Sequence, residues 1–186
     1  MAKQNLIPAF QSFGVKEFGG SLLGKANARE RRPISTKRPM HLVLRSSLAK
    51  GSYSFLRPER ARKIKRVVEK TARRSNLKLY RYANSGNHLH LLILPPSRKA
   101  FHRFVRVISG LIARMTLGRE RGKENHGKNQ AQRIKFWDLR PYSKIMKWGR
   151  EFRFVTRYLL QNTLEALGFI PYQTRRRRPQ IKFNSS

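Results

Sequence analysis

The sequence predicts an α+β domain of split-βαβ type, with elements in the order β-α-β-β-α-β and one further helix after them. Three observations predict it. Short apolar runs of strand length alternate with two long stretches of helical period. The turn-forming run Asn84-Ser85-Gly86-Asn87 joins two of the strands as a hairpin in the middle of that order. Hydrophobic residues make up 39% of 186 positions, enough for one packed core.

The elements follow in order. Met40-His41-Leu42-Val43-Leu44 is an apolar run of strand length. Pro58 opens a helix in which Ala61, Ile64, Val68 and Ala72 recur at helical spacing, with Arg and Lys on the outer face. Leu77–Tyr82 reads as a strand with Leu77, Leu79 and Arg81 on one side and Lys78, Tyr80 and Tyr82 on the other. After the turn, His88–Leu94 forms the second strand of the hairpin, and Pro95-Pro96 ends it. Phe101, Phe104, Val105, Ile108, Leu111, Ile112 and Met115 then mark the clearest helix. Residues 118–133 have no period and read as an exposed loop. Ile134–Trp137 is expected to be the fourth strand, and Pro141–Trp148 a connection to a last helix over Arg150–Leu167, stopped by Gly168. The first six elements give a ferredoxin-like antiparallel sheet with helices on one face. Residues 1–38 read as a flexible basic arm, 39–170 as the folded domain and 171–186 as a basic tail.

Charge narrows the partner. Forty-three Lys and Arg stand against nine Asp and Glu, a formal net charge of +34. A field of one sign that large implies a polyanion, which in a soluble cytoplasmic protein is nucleic acid, here with nucleoid association. No apolar run has the ~18 residues of a membrane span. With no cysteine, thiol catalysis and cysteine-held zinc are excluded. The acids are scattered and Asp138 is the one aspartate, so a carboxylate-caged metal pair is not expected. Any metal falls to histidine.

His88 and His90 flank Leu89 in a strand, so alternation puts both imidazoles on one face, roughly 7 Å apart along the chain. Such a pair can hold one divalent ion. It is also what two half-exposed strand histidines look like. In the last helix Tyr158 and Asn162 lie about one turn apart and ~40° around the axis, on one face. That edge can offer an amide oxygen as a third ligand and a phenol oxygen as nucleophile, or can be an ordinary helix rim. His41 has the parity to line the same sheet face, with a strand residue near phosphate as the plainer reading. His102 and His126 read as surface. Tyr80, Tyr82 and Tyr142 are rival nucleophiles by type alone.

Together these fragments resemble a known family. Asn87-His88-Leu89-His90-Leu91-Leu92-Ile93 is similar to the metal strand of the HUH (His–hydrophobe–His) single-strand endonucleases. Phe136-Trp137 and Tyr142-Ser143, followed by Arg157-Tyr158-Leu159-Leu160-Gln161-Asn162, resemble the REP-associated tyrosine transposases, relatives of the single-tyrosine insertion-sequence transposases. The resemblance spans about residues 40–170 in the family's element order. Thr163 follows Asn162 where relatives often carry Pro. The resemblance implies that His88, His90 and Asn162 hold a divalent ion, Mg²⁺ or Mn²⁺. It implies that Tyr158 attacks a phosphodiester to give a 5′-phosphotyrosine and a free 3′-hydroxyl. The substrate it implies is single-stranded DNA carrying hairpin repeats, handled by a monomer or a homodimer, in DNA transposition or repeat mobilisation.

The remaining bases read as phosphate contacts: Arg60, Arg62, Lys63, Lys65, Arg66, Arg73 and Arg74 on the first helix, and Arg175, Arg176, Arg177 and Arg178 in the tail. The alternative reading is a non-catalytic protein that binds single-stranded RNA or DNA hairpins. It accounts for the charge but not for the His pair combined with Tyr158 and Asn162.

Overall fold

The computed structural model describes residues 17–20, 31–118 and 135–173. Five strands, β1 (Phe18–Gly19), β2 (Met40–Arg45), β3 (Lys78–Asn84), β4 (His88–Leu94) and β5 (Tyr142–Ile145), form one sheet in the order β1-β5-β2-β4-β3. Every neighbouring pair is antiparallel. The helices are α1 (Pro58–Arg74), α2 (Arg98–Thr116) and α3 (Arg150–Ala166), with a 3₁₀ turn at Gly51–Tyr53. The α+β split-βαβ order with an added helix is present.

Alternation along the two central strands decides what each sheet face carries. Met40, Leu42 and Leu44 of β2 join Leu89, Leu91 and Ile93 of β4 in the main core, all at most 1% exposed. Over them lie Ile64 and Val68 of α1 and Phe101, Phe104, Ile108 and Ile112 of α2. Ser97 caps α2 by accepting from the Ala100 amide at 3.1 Å. Phe104 is fully buried at the centre of this layer. Phe104→Ala is expected to lower stability by about 3–5 kcal/mol, read as a drop in the urea midpoint. A loss below about 1 kcal/mol would mean that α2 settles into the space, or is not fixed on the sheet.

The two helices of the split βαβ cover one face, as expected, whereas the added α3 lies on the other. Its Val155 and Leu159 pack on Ala83, Leu92 and Met146, with Tyr80, Phe152 and Tyr158 around them. The helix ends at Gly168, in the left-handed region at φ 77°. The Gly168 amide donates to the Glu165 carbonyl, and the Phe169 amide to that of Leu164.

Three elements differ from expectation. Of the expected strand Ile134–Trp137, Ile134 lies outside the described residues and Lys135–Trp137 carry no ladder. The apolar pair there plugs the core instead. Phe136 is buried against Phe55, and the Trp137 indole donates to the Ser109 carbonyl at 3.0 Å. The fourth strand of the split βαβ is β5, within the segment read as a connection. Its alternation is masked because the buried inward positions, Ser143 and Ile145, include a polar one. Second, the β3–β4 register slips by one residue between Leu79 and Arg81, a β-bulge at Tyr80. Parity therefore reverses: Leu79 and Tyr82 meet the main core, while Tyr80 and Ala83 face α3. Third, the arm holds a strand. Phe18 and Gly19 pair with Lys144 and Ser143, and the Arg32 guanidinium donates to Ser143 Oγ at 2.9 Å. A side chain at Gly20, at φ 82°, would strike the Pro141 carbonyl, so glycine is required there.

Candidate active site

The sheet face under α3 is built from odd positions of β2 and even positions of β4. That places His41, Val43 and Arg45 beside His88, His90 and Leu92, with Val43 opposite His90 and Arg45 opposite His88. His88 and His90 do share one face, their rings meeting edge-on at 4.7 Å between centroids. His41 shares it too. Its ring stacks on that of His90 at 5.3 Å, and its Nε2 is 3.1 Å from His90 Nδ1, a hydrogen bond between two buried imidazoles. His88 Nδ1 lies 2.6 Å from Asn87 Oδ1. An amide oxygen only accepts, so Nδ1 carries the proton and Nε2 keeps its lone pair.

Burial sets the charge of these rings. It pushes His41 down to about 3, with the Lys144 ammonium and His88 adding to the shift. It pushes His88 down to about 4, aided by Arg45. Both are neutral at pH 7, the form in which imidazole binds metal.

Helix α3 brings the other half. Glu151 in its first turn accepts from Lys144 Nζ at 2.8 Å and from the Lys147 amide at 2.7 Å, tying the helix to β5. Trp148, Phe152 and the bulged Tyr80 form an aromatic cluster with ring centroids 5.0–5.6 Å apart. The helix so fixed sets the Tyr158 ring edge-on to His90 at 6.0 Å. Asn162, one turn on, is buried. The structure thus joins Tyr158 to the histidine pair, with Asn162 on the same flank of the helix.

A divalent ion is consistent with this donor chemistry. Two imidazoles and an amide oxygen are a nitrogen–oxygen set that suits Mn²⁺ better than the oxygen-loving Mg²⁺. Among the described residues no group of three or more His, Cys, Asp or Glu is placed to hold a metal. Tyr142 also lies on this face, opposite Val43. Its phenol is pushed above its ordinary value by burial and then by Glu151.

The basic residues divide. The outer face of α1 lies on the far side of the sheet from the histidines, so Arg62, Lys63, Lys65, Arg66, Arg73 and Arg74 are exposed but not beside Tyr158. Arg60 holds the 3₁₀ turn instead, donating to the Ser52 and Ser54 carbonyls at 2.7 and 3.0 Å. Arg175, Arg176, Arg177 and Arg178 lie outside the described residues. Sequence reasoning missed a second basic stripe. Arg150, Arg153, Phe154 and Arg157 line an open groove on the solvent side of α3 itself. Their i, i+3, i+4, i+7 spacing was the available signal.

No curated protein matches the chain. Among solved structures, a protein from Deinococcus radiodurans R1 whose transposase designation is itself provisional is similar, at 16% identity and a TM-score of 0.42, over 76% of this chain and 98% of its own. Among the described residues no helix is long and apolar enough to cross a membrane. The model of the family "Transposase IS200 like" matches residues 36–162, which hold β2 through β5 and α3 up to Asn162. That match covers well over half of the sequence, and the chain belongs to the IS200-like transposase family.

Proposed function

We propose that this transposase cuts and rejoins single-stranded DNA beside hairpin repeats, with Tyr158 as nucleophile and His88, His90 and Asn162 as the holders of a Mn²⁺ or Mg²⁺ ion. The observation that carries the reading is the Tyr158 ring set edge-on to His90, on the sheet face where His88 and His90 lie together. The reading places the chain in the REP-associated branch of the HUH enzymes.

The Tyr158 oxygen attacks the scissile phosphorus as its proton passes to water. The bond from phosphorus to the 3′-oxygen breaks and that oxygen takes a proton from water, leaving a 5′-phosphotyrosine and a 3′-hydroxyl. Attack by a 3′-hydroxyl reverses the step, with the phenol as leaving group. The phosphodiester energy stays in the covalent link, so no nucleotide cofactor enters. A bound divalent ion supplies charge neutralisation at the non-bridging phosphate oxygens. Arg45 beside His88 and Lys144 opposite His41 add positive potential to the same face. Arg150, Arg153 and Arg157 offer phosphate contacts along the helix that carries Tyr158, and Phe154, 55% exposed, a ring on which a base can stack.

The test is covalent capture. The full chain is incubated with single-stranded hairpin oligonucleotides from repeats of its host genome, with Mn²⁺ or with EDTA, and denaturant-resistant adducts are mapped by peptide mass spectrometry. The expected result is an adduct on the peptide holding Tyr158, lost in EDTA and in His88→Ala. Tight hairpin binding without any adduct would leave the chain a binding protein.

A further inference from the structure

We propose that His41 is the positioning residue for His90: its Nε2 accepts the Nδ1–H of His90 and fixes the tautomer in which His90 Nε2 presents its lone pair. The inference rests on the reading of His90 as a metal ligand and extends it to a third histidine, on a different strand.

The geometry is specific. The two rings are stacked with 15° between their planes, and the nitrogen–nitrogen distance of 3.1 Å is that of a hydrogen bond. His41 is 1% and His90 4% exposed, so water does not compete for either nitrogen. A hydrogen bond between two neutral rings admits two arrangements, with the proton on one or the other facing nitrogen. Only a proton on His90 Nδ1 leaves His90 Nε2 able to bind a cation. The groups facing His41 are Lys144 of β5 and His88 of β4, and neither offers an acidic oxygen.

Energetics argue against a purely structural imidazole at this position. One neutral hydrogen bond contributes about 0.5–1.5 kcal/mol net, and replacing both partners by apolar groups of the same shape is close to neutral. Val43, two residues along the same strand face, is a buried apolar side chain there. A pair of apolar side chains at 41 and 90 would therefore serve the fold as well, whereas an apolar residue at 41 alone leaves the His90 Nδ1–H buried without its acceptor. What it cannot supply is the acceptor that orients a metal-binding histidine, the role that outer partners of such ligands commonly fill.

The test uses the uniformly ¹⁵N-labelled full chain without metal at pH 7. Long-range ¹⁵N–¹H correlation reads the His90 tautomer in the wild type, in His41→Phe, which keeps the ring but not the acceptor, and in His41→Gln, which restores an acceptor at similar reach. Expected is Nδ1–H in the wild type, a shift toward Nε2–H in His41→Phe, and return to Nδ1–H in His41→Gln. Mn²⁺ titration should show affinity about 10–100-fold weaker in His41→Phe and largely recovered in His41→Gln. The thermal midpoint should fall in His41→Phe, where a buried N–H loses its acceptor, and recover in His41→Gln. Nε2–H in the wild type overturns the proposal even if His41→Phe fails to fold, and so does a His41→Phe protein with the wild-type tautomer. Absence of Mn²⁺ binding in a wild type carrying Nδ1–H would instead remove His90 from the metal set and confine His41 to orienting the ring.

Discussion

Tyr158→Phe is expected to abolish the covalent protein–DNA adduct while leaving hairpin binding and the thermal midpoint unchanged. The substitution removes one oxygen. The ring that remains keeps its edge against His90 and its place beside Val155 and Leu159. Loss of the nucleophile itself is expected to slow strand cutting on the order of a thousandfold or more, because no other group inherits the bond. Among the rivals, Tyr82 belongs to the opposite sheet face and its phenol is held well above the ordinary range by burial. Tyr142 is on the right face but is pushed the same way. An adduct that persists in Tyr158→Phe at wild-type yield would move the chemistry to Tyr142 and detach α3 from catalysis.

The second large effect is acid lability. His41 and His88 titrate at about 3 and about 4 in the folded chain and near 6.5 when unfolded. The unfolded state therefore binds more protons across that window, so stability is full above pH 6.5 and falls as pH drops toward 3. Each unit of depression is worth about 1.4 kcal/mol. The two rings together thus withdraw several kcal/mol, a large share of the roughly 5–15 kcal/mol that holds a domain. The region from pH 6.5 to 5 isolates the histidines, since carboxylates titrate below it. Urea unfolding across that range should show a falling midpoint, shallower in His41→Phe. Saturating Mn²⁺ should shift the fall to lower pH, because the ion binds the neutral rings. A flat profile between pH 7 and 4 would show that the rings are hydrated and charge without opening the fold.

Legibility in the sequence followed the physics of each element. Period-two alternation in β4 put His88 and His90 on one face and Leu89, Leu91 and Ile93 on the other, because β4 itself runs unbroken between two antiparallel partners, the bulge lying on β3. Helical period marked α2 and the shared edge of Tyr158 and Asn162. What failed was local. Phe136 and Trp137 satisfy a strand pattern, but their size fills a gap between α2 and the sheet, a demand that comes from elsewhere in the chain. The bulge at Tyr80 leaves no mark in the hydrophobic pattern, since Tyr80 and Tyr82 are both amphipathic. His41 was placed on the right face but left as a bystander. Its partner His90 is 49 positions away, and only strand pairing brings the two rings together.

The two ends of the sheet bear on a different matter, how many copies of this protein can crowd together safely. At +34 its free form is kept apart from others by charge alone. A polyanion coated with many copies cancels that repulsion at the moment it raises their local concentration. The sheet then meets its neighbours edge first. One edge is a strand two residues long, and the other is β3, interrupted at Tyr80 and carrying exposed Lys78 and Arg81. Neither offers the long, flat, apolar template that sheet-to-sheet coalescence needs. Among the described residues it is thus backbone shape that limits pairing between sheet edges, wherever net charge is neutralised.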